Sequence, residues 1–256
     1  MPTPLSASAL QGLPQLAAGD DLAQLIVAAA DGPLGGTVVL AIAHTAVSKV
    51  EGAVVALADV SPGERAQRLA AEQDKDPRLI EVILSESEEV LRAERGVLIC
   101  RTRHGLVCAN AGVDTSNAPE PDTVVLLPRD PDASARRIRA RLRTLLGIGA
   151  QEAAPAILLS DTFGRAWRHG QVDVAVGLAG MQPLEDWRGK ADEHGLELRA
   201  TWLAVADAAA AAADLARAKD SGEPVVVLEG LERFVGIEDG PGAGALVRPL
   251  AEDLFR

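Results

Sequence analysis

The sequence predicts a mixed α+β fold, with sheets and helices interspersed and neither a Rossmann unit nor a P-loop. Three observations carry this prediction. Short, β-rich apolar runs alternate with amphipathic segments, but not in a regular strand–helix–strand repeat. No GxxxxGK[ST] string occurs, and no GxGxxG lies between a strand and a helix. A chain of 256 residues with 48% hydrophobic content is long enough to bury a core, as one domain over 1–256 or as two lobes within it. Residues 231–256 read as a C-terminal loop and tail.

Taken in order, Gly36 to Ala43 (GTVVLAIA) is a buried strand that opens into a loop at His44 and Thr45. Ser61 to Asp74 starts as a helix at Pro62. Asp76 to Arg95 repeats the arrangement, with Asp76 as N-cap, Pro77 at the first helical position, and Leu79, Ile80, Ile83, Leu84, Val90 and Leu91 on one apolar face. Gly96 to Cys100 and Leu106 to Ala109 form a hairpin around the Arg103-His104-Gly105 turn, and Thr123 to Leu127 is another strand. Asp130 caps a helix with Pro131 behind it, an inner face of Ala135, Ile138, Leu142 and Leu145, and Gly147 at its end. Ala156 to Leu159 and Val172 to Leu178 read as strands around a Gly-, Arg- and Trp-containing loop. Leu196 to Leu203 reads as a strand, Val205 to Lys219 as an alanine-dense helix, and Pro224 to Leu228 as a last buried strand. The Gly240, Gly242 and Gly244 string (GPGAG) reads as a flexible connection rather than a phosphate cradle.

Composition narrows the functional classes. A formal charge of -12 repels phosphate backbones, so nucleic acid is not an expected partner. No stretch approaches the roughly eighteen apolar residues of a membrane helix, and no basic-to-apolar leader opens the chain, so a cytoplasmic protein with no membrane association is expected. Cys100 and Cys108 match neither metal-binding nor secreted-disulfide spacing and read as reduced core thiols. Anionic substrates would need local compensation from divalent cations and a few placed Arg or Lys residues.

Several strings then stand out chemically. Ser160-Asp161-Thr162-Phe163-Gly164-Arg165 brings a carboxylate and a hydroxyl to the end of an apolar strand, which suits a hard cation as well as it suits a plain Asx turn. Asn110 to Asn117 sets Asp114 among amides in a Gly-containing loop, where ordinary loop formation is the commoner explanation. Lys49 follows the first strong strand and offers a point charge for phosphate, although most such lysines are solvated. His104 and His169 lie beside arginines in loops, where histidines are mostly just exposed. Arg136, Arg137, Arg139, Arg141 and Arg143 read as a solvated helix face, and Arg165, Trp167 and Arg168 are a better match to an anion-binding role.

Together these strings resemble the coenzyme F-420-0:L-glutamate ligase (gamma-glutamyl ligase) family. The resemblance runs through GLPQLAAGDDLA (Gly12 to Ala23), HTAVSKVEG (His44 to Gly52), ILSESEEVLR (Ile83 to Arg92), RHGLVCANAGVDTSN (Arg103 to Asn117), LLPRDPDASA (Leu126 to Ala135), ILLSDTFGRAWRHGQVDVAVGLAGMQPLEDWRG (Ile157 to Gly189) and PVVVLEG. The NAGVDTSN and SDTFGR blocks, present in this order, are its most specific pieces. It implies a two-lobed ligase fold, a homodimer, and GTP as cosubstrate with magnesium or manganese, two ions in the family pattern and potassium as a further candidate. It also implies L-glutamate and a deazaflavin coenzyme precursor as the joined substrates, coupled through an acyl phosphate. By the same resemblance Asp114, Asp161 and Thr162 look like metal ligands. Leu13, Pro14, Gln15, Leu16, Thr45, Lys49 and Asn117 look like nucleotide contacts. One departure concerns the loop near Arg217 to Gly222, where Lys219 stands in place of an expected glutamate ligand. Two other readings fit the same residues: a metal-dependent nucleotide phosphohydrolase, and a non-catalytic coenzyme-binding protein.

Overall fold

The structure, a computed structural model, describes residues 4–253, so the last three residues of the expected C-terminal tail lie outside it. Its elements are β1 Ser6–Ala9, α1 Leu22–Ala29, β2 Val39–Ala43, α2 His44–Val50, β3 Val54–Ala56, α3 Glu64–Gln73, α4 Pro77–Ser85, β4 Ser87–Glu94, β5 Val97–Thr102, β6 Val107–Ala109, β7 Thr123–Val125, α5 Pro131–Leu145, β8 Ala156–Arg165, β9 Arg168–Ala179, β10 Leu184–Asp186, β11 Trp202–Ala204, α6 Val205–Ala216 and β12 Val225–Glu229. The fold is mixed α and β, as the unrepeated pattern predicts.

The main sheet has the order β1-β12-β2-β8-β9, in which only β2 and β8 run parallel. Its central strands β12 and β2 and the first half of β8 are apolar on both sides because both faces are covered. On one face Leu40, Ile42, Ile157 and Leu159 pack with Ile26 of α1, Val47 of α2 and Ala135 and Leu142 of α5. On the other, Val39, Ala41 and Leu158 pack with Val205, Ala206, Ala209, Ala210 and Ala213 of α6. The alanine density of α6 is thereby explained, since a helix of small side chains lies close to a sheet. A third apolar cluster, containing Ile80 and Ile83 of α4 and Leu98 and Cys100 of β5, sits against the separate sheet β4-β5-β6.

Strand β9 carries one surplus residue. Leu159 pairs with Gly177 but Ser160 pairs with Ala175, which leaves Val176 unmatched in a bulge. Gly177 has to be glycine, because a Cβ there would meet the Pro131 carbonyl oxygen at 2.6 Å.

Several sequence expectations change. The helix read over Asp76 to Arg95 stops at Ser85, and its second half is β4. The Ser85 and Ser87 hydroxyls donate to the Val82 and Ile83 carbonyl oxygens at 2.8 and 2.6 Å, closing the last turn, after which pairing with β5 overrides local helix propensity. The loop read at His44 is the helix α2. Of the strand read at Leu196 to Leu203, only Trp202 and Leu203 fall within β11. The helix read to Lys219 ends at Ala216. Arg139 is not solvated: at 2% exposure it donates to the Ile237 carbonyl at 3.0 Å, to Asp239 Oδ1 at 2.8 Å and to the Gly236 carbonyl. The GPGAG string is not a loose connection either. Asp132, in the first turn of α5, accepts from the Ala243 amide at 2.8 Å and from the Leu178 amide at 2.8 Å.

Cys100 and Cys108 are free, buried and directly opposed across β5 and β6, in keeping with core thiols. Burial, with the nearby Asp161 charge, pushes the Cys108 thiol up to about 12. No helix among the described residues is long and apolar enough to cross a membrane.

Candidate functional site

Three neighbouring strands, β12, β2 and β8, come together at one point. Because β2 and β8 run parallel with Ala43 opposite Ser160, the chain leaving β2 at His44 comes level with Asp161, where β8, read from sequence as ending at Leu159, instead continues to Arg165 in its hairpin with β9. Antiparallel β12 starts there too, with the Ala43 amide donating to the Pro224 carbonyl at 2.8 Å. The loop before it therefore brings Arg217 and Lys219 to the same place. Ligands in sheets with parallel strands commonly sit beyond such carboxyl ends.

A cavity of about 390 Å³ occupies this point. Its walls include every residue that the sequence singled out for nucleotide or metal: Leu13, Pro14, Gln15, Leu16, Thr45, Lys49, Asp114, Asn117, Asp161 and Thr162. In α2 the four-residue spacing puts Thr45 and Lys49 on one stripe towards the cavity, while His44 and Ser48 share the buried stripe beside it. Asp114 is held by two backbone hydrogen bonds to Val125, following the turn Asn110–Gly112, in which Asn110, Ala111 and Gly112 all have positive φ. That strained turn aims the Asp114 loop at the cavity.

The carboxylates differ in their surroundings. Asp161 Oδ1 accepts from its neighbour's amide, Thr162 N, at 2.7 Å and lies 3.4 Å from His44 Nε2. Burial opposes charge on Asp114, yet the Ser116 hydroxyl and amide, both at 2.7 Å, and the Asn117 amide at 3.2 Å outweigh it and hold its carboxyl below the usual range. Neither Asp114 nor Asp161 has a Lys or Arg partner among the described residues.

Asp173, which the sequence reading missed, is the most buried acid of the cavity. Its side chain is fully enclosed and accepts from Ser160 Oγ at 2.8 Å, from Thr162 Oγ1 at 2.7 Å and from Arg217. Burial opposes its ionisation, but Thr162, the Arg217 guanidinium and Ser160 outweigh the penalty and hold its carboxyl below the usual range. The available signal was a charge inside the otherwise apolar VDVAVGLA run. His44, 2% exposed, is a second group the sequence left without a role.

Other candidates fall elsewhere. Arg165 folds back on its own hairpin, donating to the His169 carbonyl at 2.6 Å, and Arg165, Trp167, Arg168 and His169 do not line the cavity. His104 borders a separate, smaller cavity and meets the Arg129 carbonyl at 3.2 Å.

Among the described residues no three His, Cys, Asp or Glu side chains form a ready-made metal cage. What the cavity offers is hard oxygen: the Asp114 and Asp161 carboxylates, with the Asn117 amide beside them. Magnesium characteristically binds through one or two carboxylates with substrate phosphates completing the shell, so this donor set fits an ion that arrives with a nucleotide.

Comparison with known proteins decides the family. Residues 12–230 match the model of F420-0:Gamma-glutamyl ligase. The chain belongs to this family. It is 45% identical to the Coenzyme F420:L-glutamate ligase of Methanopyrus kandleri, over 93% of this chain and 92% of that one. The protein of the same name from Methanothermobacter thermautotrophicus is 42% identical, over 98% and 99% of the two chains. That from Haloarcula marismortui is 40% identical, over 97% and 94%. As a member of the F420-0:gamma-glutamyl ligase family the chain is an enzyme, a ligase.

Proposed function

We propose that the chain joins L-glutamate to the deazaflavin coenzyme F420-0 at the expense of GTP, as one catalytic unit of two lobes, and acts as a cytoplasmic homodimer. The observation that carries this reading is the convergence of Leu13 to Leu16, Thr45, Lys49, Asp114, Asn117, Asp161 and Thr162 on one cavity. The names of the relatives supply the substrate class.

In this reading the Leu13 to Leu16 segment walls the nucleotide, Asn117 contacts it, and Thr45 and Lys49 reach its phosphates from one stripe of α2. Asp114 and Asp161 would hold Mg2+ or Mn2+, which supplies charge neutralisation at the phosphates when bound; potassium is a further candidate. His44 keeps the Asp161 carboxylate in place. A free carboxylate oxygen of the coenzyme attacks the γ-phosphorus and GDP leaves, giving an acyl phosphate. The glutamate amine then attacks the acyl carbon, its proton is lost, phosphate leaves and the amide remains. Positioning supplies most of the rate in such transfers.

The test is to incubate the protein with F420-0, L-glutamate, GTP and manganese or magnesium, and to follow product mass. A gain of one or more glutamyl units that Asp161→Ala abolishes, with the variant still folded, is the expected result. GTP hydrolysis without any mass gain would replace the ligase with a phosphohydrolase, and neither activity would leave a binding protein.

A further inference from the structure

The cavity is electrically divided. On one side stand Asp114 and Asp161, without a Lys or Arg partner among the described residues. On the other, Asp173 faces Arg217 and Lys219, and Asp214, outside the lining, backs Lys219, so two carboxylates stand against two cations. Lys219 Nζ donates to Thr162 Oγ1 at 3.0 Å and to Asp214 Oδ1 at 2.7 Å, and lies 3.6 Å from Asp173 Oδ1. The Thr162 hydroxyl hydrogen is already committed to Asp173 at 2.7 Å. Its oxygen thus has the ammonium as its cationic neighbour.

We propose that the Lys219 ammonium is a tethered second cation of this site, so that the chain takes its nucleotide with one divalent ion per subunit. The inference rests on the nucleotide-binding reading above. A divalent ion on Thr162 would need to approach its oxygen to about 2.1 Å. It would then lie against an ammonium 3.0 Å from the same atom, in a corner whose negative charge is already balanced. No such obstacle exists at Asp114 and Asp161. Lysine is also suited to the role chemically, as a compact charge with three donors on a flexible stem that can swing from Asp214 towards a phosphate oxygen. At 65% side-chain exposure it has room to do so, whereas Arg217, donating to Asp173, Ser160 and the Pro224 carbonyl, is fixed.

The experiment counts Mn2+ bound per chain at saturating GDP, from the paramagnetic resonance signal of free Mn2+ with the Mn–GDP background subtracted. Wild type should bind one ion, Asp161→Ala none, and Lys219→Glu two, since that change replaces the ammonium with a carboxylate beside Thr162. Two ions in the wild type, or one still in Lys219→Glu, would overturn the proposal. Failure of GDP to bind at all would instead refute the nucleotide site itself. Because Lys219→Glu sets a third carboxylate beside Asp173 and Asp214, ions are counted only on variant protein whose circular dichroism matches wild type. Lys219→Gln, which removes the charge without adding one, should no longer hold a cation at Thr162 and should weaken GDP binding.

Discussion

Asp173 ties the stability of the fold to the shape of the cavity. Its carboxylate fixes Thr162, Ser160 and Arg217 at once, which sets the orientation of two strand residues and one loop that meet in the cavity. Removing one partner of a buried charge pair is far costlier than the pair is favourable, because the remaining charge is stranded. Asp173→Ala is therefore expected to lower unfolding free energy by about 3–5 kcal/mol, measured by denaturant titration. Asp161→Ala, whose carboxylate has no Lys or Arg partner to strand among the described residues, should cost much less by the same measurement. The sequence made Asp161 and Thr162 legible because a carboxylate and a hydroxyl directly follow an apolar run, although the strand itself continues past them to Arg165. Asp173 was not, since its partners are distant in the chain and only the fold brings Arg217 to it.

At the scale of elements, capping residues were the most readable feature. Asp76 and Asp130 were recognised as N-caps, and each accepts the expected amide, from Arg78 at 2.8 Å and from Ala133 at 2.9 Å. What local sequence cannot express is competition between pairings: residues 87–94 have helix-forming composition, yet form a ladder with β5. The same limit hid Arg139 and Asp132, whose partners lie about a hundred residues onward. A contrast between two neighbouring aspartates follows. Asp130→Ala removes only a cap and should cost about 1 kcal/mol. Asp132→Ala leaves the amides of Leu178 and Ala243 without their acceptor and should cost about 2–3 kcal/mol, which thermal or denaturant unfolding of the two variants would distinguish.

For the molecule as a whole, the mixed fold was foreseeable, because caps, turn residues and apolar runs are local signals, whereas the gathering of the candidate residues in one place was implied only by the family resemblance. The layering was not foreseeable: two apolar clusters on opposite faces of one sheet and a third beside the small sheet emerge only from topology. Global behaviour with pH follows from the carboxylates of the site. Asp114 and Asp173 titrate below their ordinary value of 3.8 in the folded chain, so their contribution is complete above that value and is lost as pH falls below it. Asp207, which burial pushes upward, has the opposite sign and favours the folded chain at low pH. Melting temperature should therefore show an acid-side decline beginning below about pH 4 that is shallower in Asp173→Asn; an identical decline in the variant would assign the loss to other groups.

The unmatched Val176 has a wider meaning for the β8–β9 hairpin. Counted along the chain, Asp173 and Leu178 are an odd number of residues apart and should lie on opposite sides of the sheet, yet both face α6. The surplus residue absorbs that mismatch. It acts as an expansion joint between an apolar half of the hairpin, locked to α5 and α6, and a polar half that borders the cavity. Each half keeps its own register with β8, so the cavity end can change in length or spacing while the core end stays where packing requires it.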